Sequence, residues 1–226
     1  MKTTFKWWGI LLVISLPITS FTFQNESNGQ QLFEKYLKTF KSQTLPFIVD
    51  RKSMFNLSKV VYDTIKRTYI PNIYSEFDPQ YTIFIPNEIR FNNPKNEFRC
   101  LFVLPSVNQI TPVIISMDGF QDNEQNTLSL FLITYNRDGK ILGSYLIGGY
   151  TIDVSEKFFE ISHDCIITWN YKFLNNPGNS SPSLFYLLET QETLKIDSTG
   201  TITKIKETSR KGYFEGNWKG YFYLKS

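Results

Sequence analysis

The segment "TLSLFLITYN", residues 127–136, constrains this chain more than any other. Successive side chains of a strand point to opposite faces. Leu128, Leu130 and Leu132 therefore share one face, and Phe131, Ile133 and Tyr135 share the other. A strand that is apolar on both sides has to be covered on both sides, by a second layer of sheet or by helices. The same short apolar runs recur from residue 80 onward. "QYTIFIP", "NEFRCLFVLP", "TPVIISMD", "GKILGSYLIGGYTI", "SEKFFEIS", "CIITWNYKFL", "PSLFYLLETQ" and "TITKIKE" are each bounded by Pro, Gly, Asn or Asp. Short strands punctuated at turn intervals predict an antiparallel meander. Aromatics at 16% of the residues agree with this, since Phe and Tyr favour strands.

The N-terminal part reads differently. In "NGQQLFEKYLKTFKSQTLP", Leu32, Phe33, Tyr36, Leu37 and Phe40 fall on one face of a 3.6-residue repeat, with Pro46 beyond the end. In "FNLSKVVYDTIKRTYIP", Leu57, Val60, Val61, Thr64, Ile65, Thr68 and Tyr69 repeat the spacing, closed by Pro71. The expected fold is α+β: two N-terminal helices within about residues 29–69, then an antiparallel meander, curved into a half-barrel or a sandwich. Residues 23–226 form one domain on this reading.

Two turns share a design. "TYNRDGKIL" and "KIDSTGTIT" both run from an apolar residue through Asn or Asp to Gly139 or Gly200 and back into a strand. Glycine there supplies the positive φ that a short hairpin loop needs. "FEISHDCIIT" has the same layout, slightly shortened. His163, the only histidine, and Asp164 therefore belong on an exposed hairpin tip rather than in a catalytic cluster.

The first 22 residues read as an export leader. Lys2 and Lys6 precede the apolar run Trp7–Leu16, and small polar residues follow it. The run is shorter than the roughly 20 residues of a membrane span, so removal of the leader leaves no stable span. Losing Lys2 and Lys6 takes the formal charge from +3 to +1. A near-neutral domain is a poor partner for nucleic acid, whose binding rests on phosphate neutralisation. Outside the cytoplasm, in a periplasm or the medium, Cys100 and Cys165 form a disulfide if adjacent strands hold them in register, and are otherwise buried free thiols.

Chemistry-bearing motifs are sparse. No G-x-S-x-G, H-E-x-x-H or phosphate-binding glycine loop occurs. The acidic stretch "DGFQDNE", with Asp118, Asp122 and Glu124, departs from the EF-hand pattern and reads as a solvated loop. No cofactor or metal is expected. The C-terminal "KGYFEGNWKGYFYLKS" places Tyr213, Trp218, Tyr221 and Tyr223 where aromatic rings either close the core or stack on a sugar or peptide ligand.

The helix "FEKYLKTFKSQTLPF" and the hairpins "TYNRDGKILGSYLI" and "TLKIDSTGTITKIKE" resemble uncharacterised exported antiparallel-β proteins of Bacteroidota-type bacteria. That resemblance implies a compartment and no activity. The expectation is an exported, non-enzymatic domain that binds a protein or glycan. The alternatives are an extracytoplasmic hydrolase of glycan or peptide and a barrel-type carrier of an apolar ligand.

Overall fold

A computed structural model describes residues 29–57, 60–63, 68–71, 77–90, 97–120, 126–151, 154–174, 184–216 and 222–224. Helix α1 covers 29–37, followed by strands β1 (Lys41–Ser42) and β2 (Phe47–Val49), and helix α2 (Arg51–Asn56). Strands β3 (Val60–Asp63) and β4 (Thr68–Pro71) pair with each other. A 3₁₀ helix (Pro79–Phe84) and the single turn α3 (Asn87–Arg90) lead into the main sheet. Its strands are β5 (Glu97–Val103), β6 (Thr111–Phe120), β7 (Asn126–Tyr135), β8 (Ile141–Thr151) and β9 (Ser155–Ile161). They continue as β10 (Ile166–Phe173), β11 (Leu184–Ile196), β12 (Ile202–Gly216) and β13 (Phe222–Leu224).

From β5 to β13 each strand lies antiparallel to the next, as the meander predicts. Strand β1 adds parallel to β5, and β2 adds antiparallel to β9, giving an eleven-stranded mixed sheet that does not close. The sheet turns a corner at β8–β9. Only Gly149–Thr151 pairs with Ser155–Lys157; beyond that β9 leaves β8 and pairs Phe159–Ile161 with β2 instead. The β11–β12 turn then reaches back to the other arm, where the Thr134 hydroxyl donates to the Gly200 carbonyl at 2.6 Å.

Strand β7 is covered on both faces, as its composition requires. Leu128, Leu130 and Leu132 join Leu101, Ile114, Ile147, Phe159 and Leu194 in an inner cluster between the two arms. Ile133 and Tyr135 join Val113, Ile115 and Cys100 in an outer cluster, which α1 and the 3₁₀ helix cover with Phe33, Tyr36, Tyr81 and Phe84. Tyr36 stacks on Phe84 with ring centroids 4.9 Å apart, and its hydroxyl lies 3.2 Å from that of Tyr135. The Tyr135 hydroxyl donates to the Phe84 carbonyl at 2.6 Å, so the buried polar atoms that came with the rings are partnered.

The expected pair of N-terminal helices is not found. The first segment is helical only as far as residue 37. The second is a hairpin: Val61 pairs with Ile70 and Tyr62 with Tyr69. Its residues are β-branched and aromatic, and that propensity overrides a helical spacing. The helix α2 lies upstream, started by Asp50, whose carboxylate accepts from the Ser53 amide at 2.8 Å. "QYTIFIP" is likewise not a strand. Asp78 caps it through the Gln80 amide at 3.0 Å and Pro79 occupies the first turn, so the run coils into the 3₁₀ helix. Among the described residues no helix is long and apolar enough to cross a membrane.

Both glycine turns form as their sequences predict. Asn136 Oδ1 accepts from the amides of Asp138 and Lys140, Asp197 Oδ1 from those of Thr199 and Thr201, and Gly139 and Gly200 take φ of 81° and 88°.

Candidate functional site

Ser162–Cys165 is the tight turn joining β9 to β10. The Ser162 amide donates to the Cys165 carbonyl at 2.9 Å, and the Ser162 hydroxyl accepts from the Cys165 amide at 3.2 Å. His163 and Asp164 stand exposed at the tip, as expected, while Cys165 is half-buried.

What the local sequence does not show is that this tip borders a cavity of about 530 Å³. Two other connections at the same end of the sheet complete it. The β5–β6 loop contributes Leu104, Val107 and Ile110, held by a two-residue turn in which Asn108 and Gln109 take positive φ. Val107 and Ile110 exchange backbone hydrogen bonds across that turn at 3.1 and 2.9 Å. The β11–β12 hairpin contributes Lys195 and Ile196 from the end of β11 and Asp197 from the turn. Leu45, Ile161 and Ile166 extend the apolar lining. The result is an apolar recess rimmed by Ser162, His163, Asp164, Lys195, Asp197 and Ser198. A cavity of this size, apolar inside with a few polar groups at its edge, has the form of a small-molecule site.

Both cysteines are free thiols. Cys100 sits in the outer cluster, where burial, partly offset by a hydrogen bond from Thr39, pushes its thiol up to about 11. Cys165 lines the cavity, with its sulfur 3.7 Å from the Ser162 hydroxyl. The one thiol is inert by environment and the other reports on the cavity.

The C-terminal aromatics are only partly placed. Tyr213 is exposed on β12 and contacts Tyr186 with ring centroids 4.9 Å apart, and the Lys211 ammonium lies 5.2 Å from the Tyr186 ring. Tyr223 lies on β13, paired with Glu215. Trp218 and Tyr221 lie outside the described residues, as do Asp122 and Glu124 of the acidic stretch, whose Asp118 falls within β6. Among the described residues, no three His, Cys, Asp or Glu side chains are grouped as metal ligands.

Comparison with protein-family models, curated proteins and solved structures returned no significant match.

Proposed function

We propose that this chain is an exported, non-enzymatic binding domain whose open, curved sheet acts as a half-barrel, with the ligand held at its mouth. The observation that carries this reading is the cavity built by three turns, apolar within and polar at its edge. Its ligand is a small molecule with an apolar body and one polar head. The space between the arms of the sheet is filled by Leu130, Leu132, Phe159 and Leu194, which favours a ligand at the mouth over one carried inside a barrel.

Cys165 provides the test. A dye with a fused apolar ring and one anionic group, 1-anilinonaphthalene-8-sulfonate, is expected to bind the folded protein and to slow alkylation of Cys165 by iodoacetamide several-fold. Cys100 should remain unmodified until the protein unfolds. Unchanged alkylation of Cys165 in the presence of bound dye would remove the cavity as the ligand site.

The export reading rests on Lys2, Lys6 and the apolar run Trp7–Leu16. Expressed with its leader in a bacterial host, the protein should be recovered outside the cytoplasm with an intact mass lacking about the first 20 to 22 residues. A full-length mass from the cytoplasmic fraction would refute it.

A further inference from the structure

Away from the mouth, one face of the β9–β12 arm carries an ordered grid of side chains. The pairing register aligns Phe158, Trp169, Gln191 and Thr208 in one cross-strand row. It aligns Glu156, Tyr171, Glu189 and Arg210 in the next row of the same face. Two hollows open over this grid. One, of about 410 Å³, is bordered by Trp169, Glu189, Gln191, Thr208 and Arg210. The other, of about 260 Å³, is bordered by Ile48, Phe158, Glu160, Trp169 and Tyr171. The half-buried Trp169 indole borders both.

The polar end of the grid is held in place before any ligand arrives. The Glu189 side chain is 7% exposed, and its carboxylate accepts from the Tyr171 hydroxyl at 3.3 Å and is paired with Arg210. The Glu189 carboxylate and the Arg210 guanidinium offset each other's charge, and with Glu156 in the same row this end disfavours an anion and suits a ligand rich in hydroxyls. The other end offers the flat indole, Phe158 beside it on the neighbouring strand and the exposed side chain of Ile48, with the Asp50 and Glu160 carboxylates at the border. A flat apolar ring beside fixed, planar donors and acceptors matches a sugar, which has an apolar C–H face and a polar hydroxyl edge.

We propose that the Trp169 face is a binding groove for a neutral glycan chain, with the indole under one sugar ring and Gln191, Glu189, Thr208 and Arg210 reading the hydroxyls of the next. This groove is separate from the mouth cavity, and its ligand is of a different class. An exported domain so equipped is held on a polysaccharide surface while its cavity remains open.

The test is calorimetric titration of the processed protein with three neutral hexasaccharides: cellohexaose, mannohexaose and N-acetylchitohexaose. At least one is expected to bind. Trp169→Ala should then weaken binding about tenfold or more, and Trp169→Phe, which keeps a ring, no more than about threefold. Arg210→Ala should weaken it as well. The Trp169→Phe variant guards against a folding defect, and protection of Cys165 by the dye should be unchanged in all three variants. Absence of binding by the wild type to all three sugars up to millimolar concentration would overturn the proposal. So would binding that Trp169→Ala leaves unaltered. Either result would leave the mouth cavity to be judged by its own experiment.

Discussion

Gly149→Ala is expected to cost about 3 kcal/mol or more, lowering the urea midpoint by more than about 1 M. Gly149 takes φ of 141°, a backbone conformation that only glycine adopts readily. A Cβ built there would lie 2.2 Å from the Leu128 carbonyl oxygen and 3.1 Å from the Ser129 Cα. These are backbone atoms of β7, which has no rotamer with which to give way. Gly149 also lies in the three-residue stretch where β8 pairs with β9, opposite Lys157 on one side and Ser129 on the other. Relief of the clash would therefore disturb the corner on which the second arm hangs. Gly148→Ala is the comparison. Its Cβ would meet the Phe159 ring at 2.8 Å and the Leu130 side chain at 3.3 Å. Both neighbours are side chains that can shift, so a smaller loss of about 1–2 kcal/mol is expected. Equal stability of Gly149→Ala and wild type in urea would mean that the corner does not have this backbone geometry.

The corner was not legible in the sequence, whereas the strands around it were. The runs that became β5 to β12 are long, aromatic or β-branched and bounded by turn residues, so local preference and final pairing agree. The two faces of β7 were equally plain, since Leu130 and Ile133 cannot both be buried without two layers. The failures lie at the N-terminal side, where segments are short. Val60, Val61, Ile65 and Tyr69 match a helical period by spacing, yet the same residue types pair more readily as strands, and Val60–Asp63 with Thr68–Pro71 does so. Gln80–Phe84 made the opposite error. Its apolar content reads as strand, but the decisive residues, Asp78 and Pro79, stand just before it.

The sites divide along similar lines. The exposed tip at His163 and Asp164 follows from turn chemistry within a few residues. The cavity beside it joins Leu45, Val107, Cys165 and Ile196, which come from four separate connections and elements, and only the antiparallel order of the sheet brings their turns to one end. The Trp169 grid depends on register across four strands. Register is set by pairing partners, so no window of sequence encodes it. The C-terminal aromatics drew notice because they are clustered in sequence. Trp169, Tyr171 and Phe173 sit at alternate positions of an ordinary apolar strand and draw none until the strands on either side are aligned.

Glu192 links the two arms of the sheet, and its loss should be the next most damaging. The carboxylate lies on β11 with its side chain 13% exposed. It accepts from Lys157 of β9 at 2.9 Å, the Thr168 hydroxyl of β10 at 3.1 Å and the Tyr145 hydroxyl of β8 at 3.1 Å. Lys204 of β12 approaches to 3.4 Å and is also paired with Glu207. Glu192→Ala leaves the Lys157 ammonium, 14% exposed, without its carboxylate, and should cost about 2–3 kcal/mol at pH 7. Burial alone would raise the Glu192 carboxyl, but the bonds from Lys157, Thr168 and Tyr145 outweigh it and hold the group below its usual value. The unfolded chain thus takes up this proton before the folded one. The stabilisation is complete above a pH of about 4.5 and is lost as the pH falls through the lower folded value. Glu192→Gln keeps an acceptor for the two hydroxyls and removes the charge, so its deficit relative to wild type should be largest near neutrality and shrink in acid. Urea titrations of both proteins at pH 7 and pH 3 would show this convergence. A deficit of equal size at both pH values would mean that the shape of the Glu192 side chain, rather than its charge pair with Lys157, carries the stabilisation.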